Sequence, residues 1–237
     1  MNVILVEPAD FVDARRVRLT DRRLTHVRKV HRAAVGDTLR VGQVDGALGR
    51  GRVVRLDREA LELELELDEP PPPALDVTLV VALPRPPSMR KVLQQGTAMG
   101  VKRFVFVHCA RTEKSYWTAS ALEPDAIRRD LLLGLEQARD TALPRVAFER
   151  RLAEFLAGRY EALARESLVL VAHPDAASPC PRAPTTPVTL VVGPEGGFIP
   201  SELERLERAG GRRVTLGPRI LRVETATVAL LARLSPS

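Results

Sequence analysis

The chain has 237 residues, of which 45% are hydrophobic and 28% charged, and it carries a formal net charge of +6. Those values fit one large or two smaller globular domains and exclude fibrous and low-complexity classes. No apolar run approaches the roughly 20 residues of a membrane-spanning helix, and Met1-Asn2-Val3-Ile4-Leu5-Val6-Glu7 has no basic stretch ahead of its apolar residues, so a cytoplasmic protein without a membrane partner is expected. Cys109 and Cys180 are the only cysteines; they form neither a CxxC pair nor a disulfide framework, which predicts free thiols and no metal site. The positive charge favours a polyanionic partner, because Lys and Arg that neutralise phosphates release condensed counterions. Aromatic residues make up only 4% of the chain, which argues against stacking platforms for single-stranded nucleic acid.

Along the chain, the first notable feature is charge. Arg15, Arg16, Arg18, Arg22, Arg23, Arg28, Lys29 and Arg32 lie in one stretch whose only acid is Asp21. That stretch is a candidate phosphate-contact face, with a solvated arginine-rich surface as the alternative. Thr38–Val41 and Gly51–Leu56 read as strands around a turn in which Asp45-Gly46 supplies the positive-φ residues. Leu61-Glu62-Leu63-Glu64-Leu65-Glu66-Leu67 alternates strictly, which predicts a strand with leucines on one face and glutamates on the other. Pro70-Pro71-Pro72-Pro73 closes this small antiparallel β-domain, since proline cannot donate to a ladder and stiffens the chain.

Beyond the prolines, the pattern changes to short apolar runs separated by helical segments. Val77–Leu83, Phe104–His108, Leu168–Ala172, Val188–Val192 and Val214–Leu216 read as buried, mostly parallel strands, with helices expected over Met89–Met99, Asp125–Arg139 and Leu152–Arg165. Pro200-Ser201-Glu202-Leu203-Glu204 looks like a capping box built on Ser201 and Glu204. The last helix, Glu224–Leu234, is nearly all apolar and should be buried against the sheet or a partner subunit.

Three of the strand ends carry chemistry. Gly193-Pro194-Glu195-Gly196-Gly197 is a glycine-rich loop at the carboxyl end of a strand, where α/β sheets bind ligands. It matches neither a P-loop nor a dinucleotide fingerprint, so a ligand loop and a tight structural turn both stay open. Leu216-Gly217-Pro218-Arg219-Ile220-Leu221-Arg222-Val223-Glu224-Thr225-Ala226 concentrates charge ahead of an apolar helix, where charge is costly unless it is paired or functional. Ala172-His173-Pro174 ends a third strand; a lone histidine there is more often structural than catalytic, but the three loops could converge on one pocket.

These motifs together resemble the RsmE family of the SPOUT methyltransferases, enzymes that methylate uridine N3 in small-subunit ribosomal RNA. The resemblance extends to His26-Val27-Arg28-Lys29-Val30-His31-Arg32 and Val35-Gly36-Asp37 at the N-terminus, and to Gly100-Val101 and Arg111 in the centre. It implies an α/β fold with a small PUA-like β-barrel over residues 1–69, which would bind RNA, and a trefoil-knotted SPOUT methyltransferase domain over 74–237. It further implies S-adenosyl-L-methionine as cofactor, ribosomal RNA or the small ribosomal subunit as partner, and a homodimer. Carried over residue by residue, Arg222, Glu224 and Arg219 become the catalytic candidates. The cofactor candidates are Ala172, His173, Gly193, Pro194, Glu195, Gly196, Leu216, Gly217, Leu221 and Thr225. The RNA-binding candidates are Arg22, Arg23, Arg28, Lys29, Arg32 and Arg111. The chain departs from the family pattern at Gln95, Ala98, Met99, Ala110 and Asp140, with Arg139 one place early. Because these positions lie outside the cofactor motifs, retained methyl transfer with a shifted target is one alternative, and a non-catalytic RNA-binding paralogue is another.

Overall fold

The computed structural model describes residues 2–236, which divide into two compact units. The first spans the chain up to Pro73 and takes in Leu135–Leu143; the second covers Ala74–Gly134 and runs on from Pro144. Leu135–Leu143, expected in the second domain, thus belongs to the first: the Val3 N–H donates to the Glu136 carbonyl, and Asp45 N–H to that of Thr141.

In the first unit, β1 (Ile4–Val6), β2 (Arg16–Leu19), β3 (Thr38–Gln43), β4 (Leu48–Leu56) and β5 (Leu61–Glu69) form one sheet in the order β1-β3-β4-β5-β2. The expected antiparallel domain needs one correction, because β1 runs parallel to β3 with Ile4 opposite Val41. Asp45, not Gly46, takes the left-handed conformation between β3 and β4, with φ of 58°. The alternation in β5 is expressed as read: Leu61, Leu63 and Leu65 are buried in the core with Val17, Leu19, Val41 and Val53. On its other face, Glu64 pairs with Arg52 at 2.5 Å and Glu62 with Arg55 at 3.3 Å. At the β4–β5 turn, the Ala60 and Glu59 N–H groups and then Arg55 bind the Asp57 carboxylate and hold its pKa down at about 2. Between β2 and β3 lie α1 (Arg22–His26), capped by Asp21, and a π-helical turn over Val27–His31.

The second unit is a six-stranded sheet in the order β11-β9-β10-β6-β7-β8, in which every pairing is parallel. Its strands are β6 (Leu75–Ala82), β7 (Val101–Val107), β8 (Arg145–Glu149), β9 (Leu168–Ala172), β10 (Val188–Val192) and β11 (Arg212–Val214). The helices are α2 (Pro86–Ala98), α3 (Pro124–Ala138, whose last turn from Leu135 belongs to the first unit), α4 (Leu152–Phe155), α5 (Glu161–Glu166), α6 (Pro200–Arg208) and α7 (Val223–Leu234). Continuous apolar runs in β6 and β10 are the signature of strands covered on both faces, and Val188–Val192 is buried throughout. The helix expected over Leu152–Arg165 is interrupted: a π-helical turn, Leu156–Tyr160, separates α4 from α5. The buried Tyr160 hydroxyl donates to the Leu206 carbonyl at 3.0 Å.

Two further boundaries differ from the sequence reading. The last strand ends at Val214 rather than Leu216, which is 36% exposed. Helix α6 starts at Pro200 with Ile199 as its cap, so Ser201 lies inside the helix and Glu204 pairs instead with Arg208 at 2.8 Å. Proline is pre-organised for a first helical position, which moves the start ahead of the serine. The carboxylate that reaches back is Glu202, accepting the Ile199 N–H at 3.1 Å. Helix α7 packs on α2 and on β10. Among the described residues, no helix is long and apolar enough to cross a membrane.

Candidate functional site

A parallel sheet directs all its strand carboxyl ends to one edge, and the three adjacent strands β11, β9 and β10 deliver the three motif-bearing loops there. Those loops enclose a cavity of about 440 Å³, within the range of small-molecule sites. It is lined by Ala172-His173-Pro174, by residues 192–198, by residues 214–217 and 219–223, and by Ala226 and Leu230 of α7.

Local chemistry fixes each loop. The His173 N–H donates to the Val214 carbonyl at 2.9 Å, and its Nδ1 accepts from the Asp175 N–H at 3.2 Å. The Thr215 hydroxyl lies 3.2 Å from both the Pro174 and Gly217 carbonyl oxygens and accepts the Gly217 N–H at 3.1 Å, joining the histidine loop to the third loop. Gly217 has φ of 121°, a conformation that only glycine adopts without strain. At Gly193 a Cβ would sit 3.0 Å from the Phe198 ring, so the glycine lets the chain lie flat against that aromatic floor.

Nine of the ten cofactor candidates line this cavity: Ala172, His173, Gly193, Pro194, Glu195, Gly196, Leu216, Gly217 and Leu221. Thr225 does not; it is an exposed residue on α7. Of the catalytic candidates, Arg219 and Arg222 line the cavity, both exposed and with no carboxylate partner among the described residues. Glu224 does not join them at the cavity. Its carboxylate is buried, 3.4 Å from Lys91 Nζ on α2, and it is absent from the cavity wall. The reason is helical geometry: Arg222 caps α7, and Glu224 lies one residue into the first turn, on the face that meets α2. Burial disfavours its ionised form, but hydrogen bonds from its own N–H, the Ser88 hydroxyl and Lys91 outweigh that and hold its pKa below the ordinary glutamate value. Glu195 is exposed, lines the cavity, and accepts the Arg85 N–H at 3.1 Å.

The sequence reading missed what braces the glycine loop. Glu202, 6% exposed, accepts the Ala110 N–H at 2.7 Å through one oxygen and the Ile199 N–H through the other. The next residue, Arg111, donates to the Gly196 carbonyl, and a Cβ on Gly196 would stand 3.1 Å from the arginine side chain. Arg111, expected to contact RNA, is therefore attached to the cavity loop. A glutamate three residues past Gly197-Phe198-Ile199 was the available signal, hidden because Glu204 offered a better-looking capping box.

The other basic candidates separate into two groups. Arg23 is turned inward: its guanidinium reaches Asp10 at 2.6 Å, Asp21 at 2.9 Å and the Leu5 carbonyl, with only 15% of the side chain exposed. Desolvation opposes its charge, yet the two carboxylates raise its pKa further above the arginine range. Its guanidinium is engaged inside the first unit. Arg22 is half-exposed and holds Glu136 through two bonds of 3.1 and 2.6 Å. Arg28, Lys29 and Arg32 are exposed. Arg28 and Arg32 share an open groove with Arg58, which the sequence reading did not single out. Among the described residues, no group of three or more His, Cys, Asp or Glu could hold a metal ion, and Cys109 and Cys180 are buried, unpaired thiols.

Residues 71–235 match the RNA methyltransferase domain family, and the chain is 30% identical over 212 residues to the ribosomal RNA small subunit methyltransferase E of Mycobacterium bovis, covering 87% of this chain and 80% of that protein. The chain belongs to the RsmE family of RNA methyltransferases. Its likeness to the Treponema pallidum ribosomal RNA small subunit methyltransferase E is 27% identity over 240 residues, 98% of this chain and 90% of the relative. Among solved structures, it superposes on ribosomal RNA small subunit methyltransferase E from Neisseria gonorrhoeae bound to S-adenosyl methionine with a TM-score of 0.76 and 24% identity, covering 97% and 95% of the two chains. A Legionella pneumophila methyltransferase in complex with the bound cofactor SAM gives a TM-score of 0.73 at 23% identity, over 99% and 97% of the chains. The positions where this chain departs from the RsmE pattern are not among the residues that line the cavity. Gln95 is exposed on α2, the Ala110 side chain leaves only its N–H engaged, and Asp140 is buried and accepts the Ala142 N–H at 2.9 Å just past α3.

Proposed function

We propose that this protein methylates N3 of a uridine in small-subunit (16S) ribosomal RNA, using S-adenosyl-L-methionine held in the cavity of the second unit. The observation that carries this reading is the convergence of the three strand-end loops on one cavity of about 440 Å³ with two unpaired arginines at its wall. The lining fits the cofactor. Val192, Leu216, Leu221 and Leu230 offer an apolar slot for a purine, the glycine loops offer bare backbone groups for its polar edge and ribose, and the Glu195 carboxylate complements its cationic groups. When bound, the cofactor supplies a methyl group already activated on a sulfonium.

The chain's own residues have two tasks: to hold the uracil in line with that methyl group, and to make N3 available. Uracil N3 carries a proton at neutral pH, so its loss leaves negative charge that spreads onto the flanking carbonyl oxygens. Arg222 and Arg219 stabilise that charge as unpaired donors at the cavity wall. Glu195 is the carboxylate of the pair that lines the cavity, so it orients the cofactor or accepts the proton; Glu224 positions α7. Thr225 takes no direct part in holding the cofactor.

The rest of the reading follows the family resemblance. Residues 74–237 form a SPOUT methyltransferase domain whose chain is threaded as a trefoil knot, and residues 1–69 form a PUA-like, RNA-binding β-barrel. Arg28, Lys29 and Arg32, with Arg22, supply its phosphate contacts. The protein works in the cytoplasm as a homodimer. Support for a dimer comes from Ile220, 87% exposed between Leu216 and Leu221 on the cavity loop, an apolar set that a second copy would cover. Calorimetric titration of the full chain with S-adenosylmethionine tests the cofactor site: saturable heat at one site per chain is expected, and no heat would refute the reading.

A further inference from the structure

The nine aromatic residues of the chain are unevenly placed. The lone tryptophan, Trp117, lies on a short turn of 3-10 helix, Lys114–Thr118, that follows β7. Its Nε1–H donates to His108 Nδ1 at 2.8 Å, and its ring stands 6.2 Å from Phe148 in an edge-on arrangement. Phe148 in turn stacks on Phe106 at 5.6 Å. The Arg150 guanidinium carbon lies 4.9 Å from the centre of the indole, and Arg150 has no carboxylate partner among the described residues. The indole is thus half-buried, held in one orientation by a hydrogen bond and an aromatic wall, and joined by an exposed, unpaired cation.

This cluster stands at the carboxyl ends of β7 and β8, the same sheet edge as the cavity. It lies two to three strand spacings from β10, about 10 to 14 Å. Arg111 and Lys114, both exposed, belong to the intervening loop, and Arg111 touches the cavity loop at Gly196. A fixed indole offers a π face to any base without loss of side-chain entropy on binding. A guanidinium beside it can stack on the same base or fork onto the neighbouring phosphate.

We infer that Trp117 and Arg150 form a stacking site for an unpaired RNA base near the target nucleotide, with Arg150 pairing to its phosphate. This rests on the RNA methyltransferase reading above and assigns it a substrate contact outside the cavity. The scarcity of aromatics does not count against it, because a single platform needs only one well-held ring.

Trp117 is the only tryptophan, so its emission reports this site alone. The test titrates the full chain with a uridine-rich single-stranded oligoribonucleotide and, separately, with inorganic polyphosphate. Tryptophan emission is followed throughout, and anisotropy of a labelled copy of the RNA reports binding independently. RNA should quench the emission saturably and polyphosphate should not. Trp117→Ala should weaken RNA binding about tenfold, with an unchanged salt dependence, and Trp117→Phe should recover part of the loss. Should the alanine variant fail to melt cooperatively, the wild-type quench and the phenylalanine variant decide. RNA binding with silent emission, quenching by polyphosphate equal to that by RNA, or emission that changes with protein concentration alone would each overturn the stacking site. A flat anisotropy trace would instead bring down the RNA-directed function along with it.

Discussion

Two sets of arginines, one in each unit, differ in how they are paired. In the first, Arg22, Arg23, Arg40, Arg52 and Arg55 each face a carboxylate at 2.5 to 2.7 Å. In the second, Arg219 and Arg222 stand in the cavity wall with no such partner. A dense basic run in the sequence therefore marks partly a folding device, whereas two arginines in a loop mark a site. What distinguishes them is compensation: a charge that the fold leaves unpaired beside a cavity is available to a ligand, and a charge already forked onto two carboxylates is not.

That contrast can be broken by substitution. Arg222→Ala should lower kcat by about 100-fold or more, the scale set by removing one donor to a developing anion, while cooperative melting and S-adenosylmethionine binding persist. Loss of melting would place Arg222 with the structural arginines. Arg23→Ala should do the reverse. Leaving Asp10 and Asp21 without their partner should cost about 3 kcal/mol of stability in a denaturant titration, with the heat of cofactor binding unchanged. Weakened RNA binding with no change in stability would place Arg23 on the RNA face.

Glu224 sharpens the comparison from the acidic side. Glu224→Gln should keep most of the activity and leave the pH profile of kcat in place, since the residue clamps α7 to α2 and takes no proton from substrate. Its lowered pKa stabilises the fold above the unfolded glutamate pKa of about 4.3, and that contribution is lost as pH falls through the lower folded value. Wild type should thus exceed the glutamine variant by about 2 kcal/mol at neutral pH, and the two should converge in acid. The smallest effect is expected at Arg111. Arg111→Ala should weaken S-adenosylmethionine severalfold, because the Gly196 carbonyl loses its donor; an effect confined to RNA affinity would make Arg111 a substrate contact instead.

Much of the second unit was legible because buried parallel strands write themselves as apolar runs, and a glycine or histidine directly after such a run falls at the ligand-binding edge. What pattern could not show was direction and pairing. The two positions between Arg222 and Glu224, about half a helical turn, send one side chain to the cavity and the other to Lys91, although both sit in one motif. Ser201 lost its capping role because Pro200 is pre-set for the first helical position. The parallel seat of β1 on β3 and the inward turn of Arg23 depend on contacts across the first unit that no local window contains. The departures at Gln95, Ala98 and Asp140, read from the sequence as outside the cofactor motifs, are not among the residues that line the cavity.

The most direct test of the account is mass spectrometry of small-subunit ribosomal RNA nucleosides from a strain lacking this gene and from the same strain with it restored. The account predicts that N3-methyluridine disappears on deletion, returns with the wild-type chain, and does not return with Arg222→Ala. N3-methyluridine unchanged in the deletion strain would contradict it.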